Sequence, residues 1–144
     1  MATIYRSTRL DVDADSAWDF IERYTRAEVH VFSNCVSERL EGEYRVVVTD
    51  DGSEIWERNV TVDPEHRRSV YTIPDFPGAE HHQAEMRIVP DGDGAVLHWT
   101  TDLVPDAVAQ AMEPIYDRMF SDLVSAITHG AGSRAMTDRK EGKG

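Results

Sequence analysis

The sequence predicts one α+β domain in which a curved antiparallel sheet wraps a long C-terminal helix and encloses a cavity. Three observations predict it. Apolar residues alternate with polar ones, with turn residues between the runs, through most of the stretch from Cys35 to Leu103. The period then becomes helical after Pro105-Asp106. A helix-start signal at Asp13-Ala14-Asp15-Ser16 separates a first strand from the rest.

Taken in order, Ile4 to Val12 places Ile4, Thr8, Leu10 and Val12 on one side, which is a strand pattern. Ala17, Trp18, Phe20, Ile21 and Tyr24 then recur at helical spacing. A second short helical turn is expected around Ala27 to Val31. Five further turns divide the β region. Glu41-Gly42, Asp50-Asp51-Gly52 and Asp91-Gly92-Asp93-Gly94 read as hairpins. Asp63-Pro64 closes another run, and Pro74-Asp75-Phe76-Pro77-Gly78 forbids a continuing strand. This gives about six to seven antiparallel strands. Ile115, Met119, Leu123 and Ile127 form one apolar stripe on the last helix, flanked by Tyr116, Phe120 and Val124. Pro114 predicts a break between a short turn at Asp106 to Met112 and this main helix. The domain is expected over 1–129, with a disordered polar tail over 130–144.

Composition narrows the function classes. The chain has 144 residues, 40% hydrophobic and 29% charged, as in a globular domain with one core. Asp and Glu number 27 against 15 Lys and Arg, for a formal charge of −12. That surface repels phosphate backbones and anionic membranes, so no nucleic-acid partner is expected. No stretch reaches the roughly 20 apolar residues of a membrane span. The single cysteine, Cys35, fits a reducing interior, and no secretory leader is visible, so a cytoplasmic location is expected. Adjacent strand residues point oppositely, so His81 and His82 cannot share a metal; the other histidines show no ligand spacing. No phosphate loop or dinucleotide fingerprint is present. Neither a metal nor an organic cofactor is expected.

Four pieces carry a resemblance. They are Val12-Asp13-Ala14-Asp15-Ser16-Ala17-Trp18 and Trp56-Glu57-Arg58 ahead of Val62-Asp63-Pro64. Arg67-Arg68-Ser69-Val70-Tyr71 follows, then the Asp91-to-Gly94 turn with Leu97-His98-Trp99-Thr100 and Leu103-Val104-Pro105. In this order the chain resembles the START-like (SRPBCC, helix-grip) superfamily, in its bacterial polyketide cyclase/dehydrase and lipid-transport group. The resemblance spans Ile4 to about Ile127.

Alternation assigns an inward face to each strand. Trp56, Arg58, Val60 and Val62 are expected inward on one strand, then Ser69, Tyr71 and Ile73. His82, Ala84, Met86 and Ile88 follow, then Leu97, Trp99, Thr101 and Leu103. Met112, Tyr116, Met119, Phe120 and Leu123 face them from the helix. The expected ligand wall is Trp56, Ala84, Met86, Trp99, Thr101, Met112, Tyr116, Met119 and Phe120, most of which would also serve as ordinary core. A largely apolar lining with a few polar groups is the usual form of a small-ligand site.

The resemblance implies aldol cyclisation and dehydration of a polyketide-like substrate. His82 would be the general acid/base, and Arg58 and Tyr71 would stabilise the enolate. Better-known members carry an arginine where Val60 stands here, and Arg58, one step nearer the tryptophan, would take its place. The competing reading is a non-catalytic carrier or sensor of a lipophilic ligand such as a lipid, quinone or pigment intermediate. A third is a protein-interaction module of the cochaperone type. A monomer or homodimer fits all three.

Overall fold

The structure, a computed structural model, describes residues 3–130; the bounds of its first and last elements, Ala2 and Lys143, extend past them. The chain runs β1 (Ala2–Leu10), α1 (Ala14–Thr25), β2 (Cys35–Glu41), β3 (Tyr44–Thr49), β4 (Glu54–Asp63), β5 (Arg68–Thr72), β6 (His81–Asp91), β7 (Gly94–Val104) and α2 (Asp106–Lys143). The strands form one seven-stranded sheet in the order β1-β7-β6-β5-β4-β3-β2, every pair antiparallel. The tail expected over 130–144 lies beyond the described residues apart from Gly130.

Each boundary has a local cause. Asp13 caps α1, its carboxylate accepting the Ser16 N–H at 3.0 Å. The same helix buries Ala17, Trp18, Phe20, Ile21 and Tyr24, as the spacing predicts. The β3–β4 turn needs a left-handed residue, and Gly52 supplies it at φ 87°. Asp51 ties that tip by accepting from Thr49 Oγ1 (2.6 Å) and Ser53 N–H (2.9 Å). These bonds, that from Thr49 first, hold its carboxyl down at about 2. β6 and β7 pair residue for residue from His81↔Val104 to Asp91↔Gly94, so the predicted hairpin is present.

Two helical expectations change. No helix forms over 27–31; the chain there is turn and irregular structure, with Ala27 at φ 58°. And Pro114 lies inside an uninterrupted α2. The carbonyl its ring leaves without a partner belongs to Gln110; both residues are exposed, so water can satisfy it.

The core lies between the concave face of the sheet, α1 and α2. Leu10, Ile21, Met86, Ile88, Leu97, Leu103, Leu123 and Ile127 are all nearly or wholly sealed. At its centre Trp99 stacks on Phe32 (6.0 Å between centroids) and Phe120 (6.5 Å) and meets Tyr116 edge-on (5.5 Å). These rings pack on one another at the concave face, where the sequence places the ligand wall.

Candidate ligand site

An open volume lies at the mouth of the fold. A groove of about 650 Å³ runs between the β3–β4 turn, the β5–β6 connection and the first turns of α2. Ile55, Ile73, Phe76, Pro77, Ala107, Val108, Ala111 and Met112 make it apolar. Asp51, Glu54 and Asp75 also line it, the Glu54 carboxylate paired with Arg39 at 3.0 Å, and no Lys or Arg among the described residues does. Pro74, Pro77 and Gly78 stop β5 from running straight into β6, and this break forms one wall.

Of the predicted wall, Trp56 and Met112 line the groove. Ala84, Met86, Trp99, Thr101 and Tyr116 are inward as expected but packed in the core, and none of them lines it. Met119 and Phe120 are half-buried against that core, also away from the groove. The reason is bulk: Phe32, from the segment between α1 and β2, inserts its ring against Trp99.

The predicted catalytic trio is not brought together. Tyr71 and His82 are both buried on the concave face, their rings 5.9 Å apart. Arg58 is not with them: its side chain is half exposed and pairs with Glu43 at 3.0 Å. The cause is a bulge in β4. Asn59 opposes Tyr71 and Thr61 opposes Val70, so Val60 is an extra residue, 54% exposed. Val62 pairs with inward Ser69, but alternation counted back from it through Val60 gives the wrong face. The inward residues of β4 before the bulge are Ile55, Glu57 and Asn59, and Arg58 lies outside. Trp56, in register with Val46, packs on Tyr44 edge-on (5.5 Å) beneath Arg39.

The arginine inside the fold is Arg45 of β3, 1% exposed. Its Nε donates to the Tyr24 carbonyl at 3.0 Å, Nη1 lies 3.2 Å from Glu57 Oε1, and the guanidinium sits 3.9 Å over the Tyr24 ring. Its Nη2 has no partner among the described residues. Burial pushes the Glu57 carboxyl up while Arg45 pulls it down. Cys35 is buried nearby, its thiol pushed up to about 11 by loss of water, so it is no thiolate nucleophile. Sequence reasoning passed over Arg45 and Glu57, yet a signal existed. The Asp50-to-Gly52 turn pairs Val48 with Glu54, which by register sets Arg45 opposite Glu57, a charge-complementary cross-strand pair.

Tyr71 accepts a hydrogen bond from Trp99 Nε1 at 3.2 Å, and burial holds its hydroxyl well above the ordinary tyrosine range. Burial likewise lowers His82 to about 4, leaving the imidazole neutral. Its Nδ1 accepts the Ile73 N–H at 3.0 Å, so the ring proton sits on Nε2. The nitrogen that a general base would use is therefore already occupied. His81 is exposed, on the opposite face. Among the described residues no cluster of three or more His, Cys, Asp or Glu is placed to hold a metal ion. No helix among them is long and apolar enough to cross a membrane.

Sheet, gripped helix and mouth groove define a START-like, helix-grip protein. Residues 1–128 match the family described as polyketide cyclase / dehydrase and lipid transport, and the chain belongs to that family. No curated protein matches it significantly. A protein from Thermobifida fusca is similar in structure, with 26% identity, TM-score 0.74, and 92% of this chain and 95% of that one covered. An aromatase/cyclase from Streptomyces sp. R1128 shares the fold at 19% identity and TM-score 0.71, over 93% and 95% of the two chains. Norcoclaurine synthase from Thalictrum flavum does so at 17% and 0.68, over 90% and 95%.

Proposed function

We propose that this protein is a cytoplasmic carrier or sensor that holds a small, largely apolar, uncharged or cationic molecule in the mouth groove. The observation that carries this reading is the groove's chemistry: a largely apolar lining whose charged residues, among those described, are Asp51, Glu54 and Asp75. A carboxylate or sulfonate end would meet Asp51, which stays ionised far below neutral pH, and like charge would disfavour it. Family membership and the aromatase/cyclase-like fold support a small hydrophobic ligand.

The cyclase reading keeps one supporting observation. Tyr71, Arg45 and Glu57 place donors and a charge pair inside the concave face, next to the aromatic ring cluster. Turnover of a reactive poly-β-ketone mimic, lost in Tyr71→Phe, would favour it over the carrier.

Neutral N-phenyl-1-naphthylamine tests the groove. It is expected to bind about once per chain, quench tryptophan emission, and bind at least about 10-fold tighter than anionic anilinonaphthalene sulfonate. Ala111 is exposed and lines the groove, so Ala111→Trp fills it without disturbing the core and should abolish binding. Unchanged binding in that variant would place the dye elsewhere and defeat the proposal.

A further inference from the structure

One wall of the groove is held from behind by a single side chain. The β5–β6 ladder ends at Tyr71↔Ala84, and Pro74 then turns the chain away. Between these points the Ile73 N–H donates to His82 Nδ1, 3.0 Å away, in place of a strand carbonyl. The His82 carbonyl accepts from Thr72 Oγ1, and its ring stacks on Phe76 at 5.3 Å between centroids and 13°. Ile73 and Phe76 both line the groove, whereas His82 is buried and does not. One imidazole thus fixes the backbone of one wall residue and the ring plane of the other.

We infer that His82 is a positioning residue for the mouth groove: its bare Nδ1 and its ring face set Ile73 and Phe76 in place, and a proton on Nδ1 releases that wall. This rests on the groove being the ligand site and adds that acid loosens its hold on the ligand. Nδ1 accepts only in the neutral ring. An imidazolium carries N–H at both nitrogens, so a donor would face the Ile73 donor. Burial lowers the ring to about 4 in the closed wall, and opening returns it to water and to its ordinary value of 6.5. The opened form therefore takes up the proton first as pH falls, and acid favours opening. The titratable groups around the ring are Tyr71 on β5, Asp75 beside Phe76, and Glu80 and His81, which share a space of about 110 Å³ with it. α2 sets Ala107, Val108, Ala111 and Met112 on the groove, and β7 sets Leu103 opposite His82; none of these titrates.

The test follows two quantities from about pH 7.5 to 4.5: hydrogen-exchange protection of the Ile73 amide, and binding of N-phenyl-1-naphthylamine, which stays uncharged throughout. In the wild-type chain the protection is expected to fall by about 10- to 100-fold. The dye should bind more weakly at the acid end, in proportion to the closed fraction. His82→Gln offers a carbonyl to the same N–H and does not titrate, so it should keep most of the protection and lose the acid response. Asp75, Glu80 and His81 remain in that variant, which subtracts their own titration. His82→Phe keeps a flat ring on Phe76 without an acceptor, and should lose about 10-fold in Ile73 protection at pH 7.5, the usual worth of one hydrogen bond. The wild-type series decides by itself if the variants fail to fold. If acid leaves either quantity unchanged in the wild type, or if His82→Gln responds as the wild type does, the inference is wrong and the groove assignment survives. If the dye does not bind the wild type at pH 7.5, the groove assignment fails and takes this inference with it.

Discussion

At the scale of single residues, burial decides chemistry more than residue type does. His82 and His81 are neighbours in sequence, but one is sealed and the other exposed. The sealed ring resists protonation, and this has a stability consequence with a definite sign. In the unfolded chain its pKa is about 6.5, and in the fold about 4. As pH falls from above 6.5 toward 4 the unfolded state gains a proton that the native state does not, so stability falls. Its contribution is about 2–3 kcal/mol at pH 4.5. Denaturant melts at pH 7.5 and 4.5 should therefore show a larger loss for wild type than for His82→Phe; parallel losses would mean His82 is not desolvated as described. Arg45 and Glu57 show the same rule from the other side. Arg45 and Glu57 sit in the interior 3.2 Å apart, Arg45 opposing the upward push of burial on the Glu57 carboxyl, whereas Arg58, free to reach water, pairs with Glu43 on the surface.

Single elements obey their local signals until a neighbour or solvent offers an alternative. The hairpin from β6 through β7 and the capped α1 follow their sequence patterns closely. β4 does not, because Val60 is one residue too many for its partner, and nothing in Asn59-Val60-Thr61 announces it. Pro114 shows a helix breaker tolerated: α2 passes through it at a place where Pro114 and Gln110 are both exposed, so water can satisfy the Gln110 carbonyl. Pro114→Ala should then stabilise the protein, by about 1–3 kcal/mol, as the missing backbone bond is restored on an exposed face. A rise in thermal midpoint with an unchanged circular dichroism spectrum would show it; a lower midpoint would mean that Pro114 terminates a strained first segment after all.

At the scale of the whole molecule, a net charge of −12 works against compactness. Raising sodium chloride from about 0.02 to 0.5 M shortens the screening length several-fold, so the thermal midpoint should climb by a few degrees. A fall would mean that surface pairs such as Arg9 with Asp91 and Arg67 with Asp15 outweigh the self-repulsion. The same scale separates what could be read from the chain alone. The α+β class, the turn positions, the amphipathic α1 and α2 and the family were legible, because they rest on periodicity, turn chemistry and short motifs that act within a few residues. His82, Tyr71, Ala84 and Trp99 were legible as inward, because β5, β6 and β7 keep their alternation where those residues stand. The tertiary structure alone decided that Arg58 faces out and Arg45 faces in, and that Trp99 packs in a ring cluster away from the mouth groove. Those outcomes depend on a one-residue bulge and on Phe32 reaching Trp99 across the fold, and neither a register shift nor a long-range ring contact leaves a periodic trace in the sequence.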